Sequence, residues 1–229
     1  MGIDDLPKNT QEASILQHRV NDLAAARLRH FPPGAAIFEP GHEDSSILFV
    51  NHGWAICARN LQNGTRIVTE FALRGDLIST TACDLAQETV QAVSDLSLYE
   101  FPGRLLTRGL DLSPQFSKII VTEMIKRQAR MSERIANIGR RDALERTGHL
   151  LLELAIRASE NTRPNFDGFV CPLKQSDIGD AVGLSTVHIN RVLKEMRTSG
   201  LVSFRNGIVE FLNRKRLMDL VDFDPGYLA

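Results

Sequence analysis

Residues 174–197, Lys-Gln-Ser-Asp-Ile-Gly-Asp-Ala-Val-Gly-Leu-Ser-Thr-Val-His-Ile-Asn-Arg-Val-Leu-Lys-Glu-Met-Arg, decide how this chain folds. Their spacing predicts two short helices joined by a tight turn. Ile178, Ala181 and Val182 form an i, i+3, i+4 apolar stripe on the first helix. Gly183 comes next, where the turn needs a residue that accepts positive φ, and Leu184 plugs the corner. Ser185 is placed to cap the second helix, its hydroxyl satisfying a free N–H of the next turn. The second helix buries Ile189, Val192, Leu193 and Met196 and leaves Thr186, Asn190, Arg191 and Lys194 on its other side. A greasy back and a front of hydrogen-bonding and cationic groups suit a helix that lies in the major groove of DNA. The plainer alternative is an αα-hairpin with a solvated outer face.

The residues just downstream favour the groove-reading helix. Leu201–Phe204 and Ile208–Phe211 are two β-prone runs flanking Arg205-Asn206-Gly207, and Asn-Gly is the strongest short hairpin signal. A helix-turn-helix followed by a β-hairpin is a winged helix. Lys174, Arg205, Arg214, Lys215 and Arg216 are then placed to hold phosphates around the reading helix.

The chain as a whole has the composition of an ordinary soluble protein. It has 229 residues, 43% hydrophobic and 24% charged, enough for one large domain or two modest ones. No apolar run has the length of a membrane span, and the first ten residues lack a signal-peptide pattern, so a cytoplasmic protein with no membrane partner is expected. Cys57, Cys83 and Cys171 are odd in number and far apart, which suggests neither a disulfide framework nor a metal site. The net charge of −1 hides an asymmetry. Residues 1–112 carry 9 Lys/Arg against 14 Asp/Glu, and residues 113–229 carry 18 against 14. The C-terminal part therefore has the charge to face nucleic acid.

Upstream, residues 11–30 have a helical pattern with Ile15, Val20, Leu23, Ala24 and Leu28. From Phe31 short β-prone runs take over: 36–38, 47–50, 54–58, 67–71, 90–93 and 96–101. Turn residues separate them, at Gly34, Gly41, Gly53, Gly64 and Gly75-Asp76. This texture predicts a small antiparallel barrel or jelly roll. Residues 114–139 form one long helix, in which Val121, Met124, Gln128, Met131, Ile135 and Ile138 are spaced 3-4-3-4-3. That is the coiled-coil interval, with Gln128 as a polar residue that sets register. The seam is assigned to a dimer rather than to packing on the chain's own barrel, because a two-fold DNA site needs two reading heads. Residues 141–160 give a further amphipathic helix, and 161–168 a polar loop. The fold class is thus α+β in three parts: a sensory barrel with an N-terminal helix over 1–112, a dimerisation helix over 113–140 and a winged helix-turn-helix DNA-binding domain over 141–229.

A glycine-punctuated barrel, a long helix and a C-terminal winged helix, in that order, resemble the Crp/Fnr superfamily of bacterial transcription regulators. The run Ile178–Lys194 is similar to that family's recognition unit, and Asn137–Leu154 to its segment joining the dimer helix to the DNA-binding domain. The resemblance implies a homodimer on a palindromic operator, with RNA polymerase as a partner. Relatives that bind cyclic AMP carry Gly-Glu after the Gly-Asp turn and Arg-Ser about ten residues on. Here Ser79-Thr80 and Ala86-Gln87 stand there. A phosphate without its guanidinium lacks the charge-assisted bonds such a site needs, so cyclic AMP is not the expected effector. Three dispersed cysteines do not supply the four thiolates of an iron–sulfur centre either. His18, His30, His42, His52 and His149 have no context that marks a haem ligand. Cys83, in the loop that replaces the nucleotide grip, is the candidate sensor thiol. The effector is unknown.

The recognition run departs from the family's Ser-Arg-Glu-Thr-Val-x-Arg. Arg191 is retained and suits guanine, while Val187 replaces the acid and suits a thymine methyl. Thr186 and Asn190 offer hydrogen bonds, and Asn suits adenine. His188 is assigned to a phosphate. The DNA-binding set is therefore Lys174, Ser185, Thr186, Val187, His188, Asn190, Arg191, Lys194 and Arg205. The competing reading is a small-molecule-binding or metal-dependent barrel whose winged helix serves protein interaction. It lacks the His-x-His pair of metal-dependent barrels and any local catalytic motif, so no catalytic or metal-binding residue is assigned and an enzyme is not expected.

Overall fold

A computed structural model of the chain describes residues 26–38, 46–79, 88–103, 114–158 and 166–228. The chain divides into two compact units, Met1–Gly64 with Thr69–Ile125, and Thr65–Val68 with Lys126–Ala229.

Eight strands build the first part of the chain: β1 (Arg27–Phe31), β2 (Ala36–Phe38), β3 (Ser46–His52), β4 (Ala55–Asn60), β5 (Arg66–Ala72), β6 (Leu77–Ser79), β7 (Thr89–Ala92) and β8 (Leu96–Pro102). They form two four-stranded sheets ordered β1-β8-β3-β6 and β2-β7-β4-β5, the double-sheet arrangement of a jelly roll. Period-two alternation fills the space between the sheets. Leu48, Val50, Ile78, Leu96 and Leu98 come from one sheet, and Phe38, Ala55, Cys57, Ala72 and Val90 from the other. The opposite faces of β3, β6 and β8 present Ile47, Phe49, Leu77 and Phe101, which pack with Phe116 and Ile120 of the helix after β8. The Phe101 and Phe116 rings lie 5.1 Å apart. Gly53 is the turn glycine with the least room. Its φ is +87°, and a Cβ there would lie 2.1 Å from the Asp95 carbonyl oxygen.

The helical pattern expected over residues 11–30 ends differently. Residues 11–25 lie outside the described residues, and Arg27–Phe31 is a strand paired with β8 from Arg27↔Glu100 to Phe31↔Leu96. Pairing with an available strand overrides local periodicity here. Two other strands, β6 and β9 (Gly168–Val170), fall in stretches without a strand signal. Gly41 lies outside the described residues.

Helix α1 (Pro114–Arg140) opens on proline, which fits the first helical turn because its missing N–H would go unused there. Helix α2 (Ala143–Arg157) starts at Asp142 with a capping box. The Glu145 N–H donates to Asp142 Oδ1 at 2.9 Å, and Glu145 Oε2 accepts from the Asp142 N–H at 2.7 Å. Helices α3 (Gln175–Val182), α4 (Thr186–Thr198) and α5 (Arg214–Leu220) come next, with the hairpin β10 (Val202–Arg205) and β11 (Ile208–Phe211) between α4 and α5. No helix among the described residues is long and apolar enough to cross a membrane.

Buried and half-buried polar groups hold the end of α1 to the turn that follows it and to α2. Asn137 donates to the Arg146 carbonyl at 3.2 Å, and Arg141 reaches Glu133 at 2.6 Å. His149 is 2% exposed, stacked with Tyr227 and edge-on to Phe223. Its Nε2 lies 3.1 Å from Glu133 Oε1, so it is a satisfied core histidine rather than a ligand. Burial, and then the Arg141 charge, lower its pKa from 6.5 to about 4, outweighing the pull of Glu133. Between those values the unfolded chain binds a proton that the fold refuses. Stability is therefore full above about pH 6.5 and is lost as pH falls toward 4. Urea unfolding at pH 7.5 and 4.5 should show a drop about 2–3 kcal/mol larger in the wild type than in His149→Phe. Equal drops in the two proteins would remove His149 as the cause.

Candidate nucleic-acid interface

The reading head is built around α4. Its rear residues Ile189, Val192, Leu193 and Met196 are all buried, as the sequence requires. Gly148 on α2 makes room behind them. A Cβ there would lie 2.9 Å from Leu217 Cδ1 and 3.2 Å from Met196 Cε, so α2 approaches both α4 and α5 at this residue. The turn before α4 takes the expected form. Gly183 is left-handed at φ +70°, ψ +36°, and the Ser185 hydroxyl oxygen accepts from the His188 N–H at 3.3 Å. Arg146 braces the same corner, its Nε donating to the Arg141 carbonyl at 2.8 Å and its Nη1 to the Val182 carbonyl at 3.3 Å.

A residue that sequence reasoning passed over also shapes this turn. Gly179 sits inside α3, and a Cβ on it would lie 2.6 Å from the Leu184 carbonyl oxygen. The Leu184 N–H in turn donates to the Gly179 carbonyl at 2.9 Å. The available signal was a glycine in a helix interior, which costs about 1 kcal/mol relative to alanine and so calls for a packing reason.

The front of α4 faces water. Ser185, Thr186, Asn190, Arg191 and Lys194 are exposed, His188 is half-buried, and Val187 is 82% exposed. An isopropyl group so displayed is costly in water and gains by covering an apolar group on a partner. Val187 and Arg191 are one turn apart on one row, and Thr186 and Asn190 on the next. Among the described residues the Arg191 and Lys194 side chains have no hydrogen-bond or ion-pair partner. Lys174 and Arg205 are exposed as well. Lys174 begins α3, where its own N–H donates to Asp177 Oδ2 at 2.9 Å.

The wing turns on Asn206 at φ +51° and Gly207 at φ +72°, the pair of positive φ values that a type I′ hairpin needs. β11 also pairs with β9, Ile208↔Val170 and Val209↔Phe169, so the wing sheet has three strands in the order β10-β11-β9. Arg214 does not join the expected phosphate grip. Its Nε donates to Asp167 Oδ1 at 2.6 Å, and its guanidinium lies 4.2 Å from the Phe211 ring centroid, which neutralises and holds it inside the wing. Arg216 is turned to the Ser199 carbonyl at 3.3 Å, while Lys215 stays exposed.

Of the helix seam, Val121, Met124, Gln128, Met131, Ile135 and Ile138 all face out. Ile125, 60% exposed, broadens that row and was missed by the strict coiled-coil spacing. The adjoining side of α1, about a quarter turn round, carries the buried Phe116, Ile120, Arg130, Arg134 and Asn137. Of the thiols, Cys57 and Cys171 are buried, and burial pushes the Cys171 pKa up to about 12, which keeps it protonated and unreactive. Cys83, Thr80, Ala86 and Gln87 lie outside the described residues. No group of three or more metal-ligating side chains occurs among the described residues.

Comparison with known proteins fits this head to a family. Residues 145–220 match the Crp-like helix-turn-helix domain, and residues 28–111 match the cyclic nucleotide-binding domain. The chain belongs to the Crp/Fnr superfamily of transcription regulators. Among its curated relatives, the nitrogen fixation regulation protein FixK of Bradyrhizobium diazoefficiens is 23% identical over 193 residues, 82% of this chain and 79% of FixK. The fumarate and nitrate reduction regulatory protein of Vibrio cholerae is 25% identical over 201 residues, 87% of this chain and 80% of that protein. The solved structure of FixK2 from Bradyrhizobium japonicum superposes with a TM-score of 0.74 at 21% identity, covering 85% of this chain and 96% of FixK2. The α+β architecture of this Crp/Fnr regulator is therefore that of the superfamily, with a nucleotide-binding-like sheet domain before the helix-turn-helix.

Proposed function

We propose that this Crp/Fnr regulator is a homodimer that reads a palindromic operator with α4, dimerises along the outer row of α1, and senses a signal other than cyclic AMP. The observation that carries the DNA reading is the division of α4 into a fully buried apolar back and a front whose cations are unengaged. Arg191 supports one guanine per half-site, and Ser185, His188, Lys194, Lys174 and Arg205 support phosphate contacts that set register. Helix α1 supports the dimer: its inner side is already used within the chain, and Val121, Ile125 and Ile135 are 55%, 60% and 71% exposed. An exposed apolar row of that kind marks an interaction surface, and a second copy of the same row suits it. RNA polymerase is the protein partner this role implies.

The sequence of the sheet unit supports the departure from cyclic AMP: Ser79-Thr80 and Ala86-Gln87 stand where nucleotide-binding relatives carry Gly-Glu and Arg-Ser, so the guanidinium that would neutralise the cyclic phosphate is missing. A signal bound in this unit alters DNA binding only if it prefers one arrangement of the α1 seam over another. Titration calorimetry should detect no cyclic AMP binding at micromolar affinity, and detecting it would overturn this part.

The test of the DNA reading is binding to duplexes selected from random sequence. Log affinity should fall linearly with log salt, which a protein-docking role would not produce. Arg191→Ala should cost about 1–3 kcal/mol and relax selectivity at one base position. Undiminished affinity and selectivity in that variant would show that α4 is not the reading helix.

A further inference from the structure

The side-chain amide of Asn190 is not free to turn. Its Nδ2 donates to the Thr186 carbonyl one turn back, at 2.9 Å. A carbonyl oxygen only accepts, so the group on it is the amide nitrogen, and the orientation of the amide is fixed by chemistry. The NH2 group has two hydrogens. One of them makes this bond, and the other N–H and Oδ1 have no partner among the described residues. Asn190 is exposed, so this donor and this acceptor stand on the front of α4 beside Arg191.

A side chain that offers both a donor and an acceptor discriminates among bases. Adenine offers the matching pair in the major groove, the N6 amino donor and the N7 acceptor. Guanine offers two acceptors, O6 and N7, and sets O6 against Oδ1. Thymine offers only an acceptor, and cytosine only a donor. Arg191, with donors alone, takes guanine, so the two neighbours divide the purines between them. The Thr186 bond also means that the amide is oriented before DNA arrives, so less rotational freedom is lost on contact.

We propose that Asn190 is the specificity-determining residue for one adenine in each half-site, aimed at it by the Thr186 carbonyl. This rests on the reading of α4 as the recognition helix.

The test uses the full-length protein and a duplex it has selected from random sequence. Each half-site adenine is replaced in turn by 7-deaza-adenine, which lacks the N7 acceptor, and by purine, which lacks the N6 amino group. One position per half-site should lose roughly 5- to 150-fold in affinity with either analogue. At that position Asn190→Ala should already have lost the same factor, and the analogues should cost it nothing more, the coupling a double-mutant cycle requires. If every adenine tolerates both analogues while Arg191→Ala still weakens binding, the Asn190 assignment fails and the reading of α4 stands. The assignment also fails if the sensitive adenine stays equally sensitive in Asn190→Ala. If Arg191→Ala binds as the wild type does, the reading of α4 itself fails.

Discussion

Ile135→Asp is expected to leave the chain folded and monomeric, and to lower operator affinity by two or more orders of magnitude. Ile135 is 71% exposed, so the substitution removes little packing within the chain, and surface changes of that kind usually stay within about 0.5 kcal/mol. In the proposed dimer the same residue lies in the seam with Met131 and Ile138, and its partner copy would bring a second carboxylate there. Two like charges moved from water into an apolar seam cost several kcal/mol between them. The monomer keeps an intact reading head but loses the linked second half-site, and linkage of that kind is worth roughly 100- to 10,000-fold. Analytical ultracentrifugation and fluorescence anisotropy with an operator duplex check both halves of the expectation. Leu220→Asp is the control, because Leu220 is a 48% exposed apolar residue outside α1 and should leave assembly unchanged. An Ile135→Asp protein that sediments as a dimer would place the interface elsewhere.

How far the sequence could be read depended on whether a residue's partner was local. The back of α4 was legible in full, because burial at Ile189, Val192, Leu193 and Met196 follows from helical period alone. The left-handed Gly183 and the Asn206-Gly207 turn were legible for a similar reason, since one or two residues dictate the backbone there. Strand β1 was not. Arg-Leu-Arg-His-Phe has little intrinsic strand preference, its first four residues are exposed, and what holds it extended is β8, some 70 residues away. The same holds for Arg214, whose sequence position suggested a phosphate and whose actual partner, Asp167, becomes visible only when β9 joins the wing. The knot around His149 draws its groups from α1, α2 and the C-terminal turn at 225–228, and no spacing rule joins those three. Asn190 marks the same limit at the site. Its residue type was legible as adenine-compatible, whereas the orientation of its amide depends on a hydrogen bond that composition does not reveal.

Gly179→Ala should weaken operator binding at least tenfold while leaving every residue on the front of α4 in place. In an ordinary helix interior, glycine to alanine stabilises by about 0.5–1 kcal/mol. Here the sign reverses. The new Cβ would stand 2.6 Å from the Leu184 carbonyl oxygen and 3.8 Å from Ile189 Cγ2. The near atom is backbone, so no side-chain rotation relieves it. Relief requires Leu184 to move, and Leu184 is bonded back to Gly179 and precedes the Ser185 cap of α4. Overpacking of this kind costs about 1–3 kcal/mol, and the displaced cap carries the start of the recognition helix with it, where Thr186 and Val187 sit. Affinity therefore falls through misplacement of the helix rather than through loss of a contact. Gly139→Ala provides the contrast: Gly139 is also inside a helix, but a Cβ there meets nothing within 4 Å, so that variant should gain stability by about 0.5–1 kcal/mol. Urea unfolding of the two variants should thus move in opposite directions. If Gly179→Ala were as stable as Gly139→Ala and bound DNA normally, the close approach of α3 to the Leu184 turn would not be what positions α4.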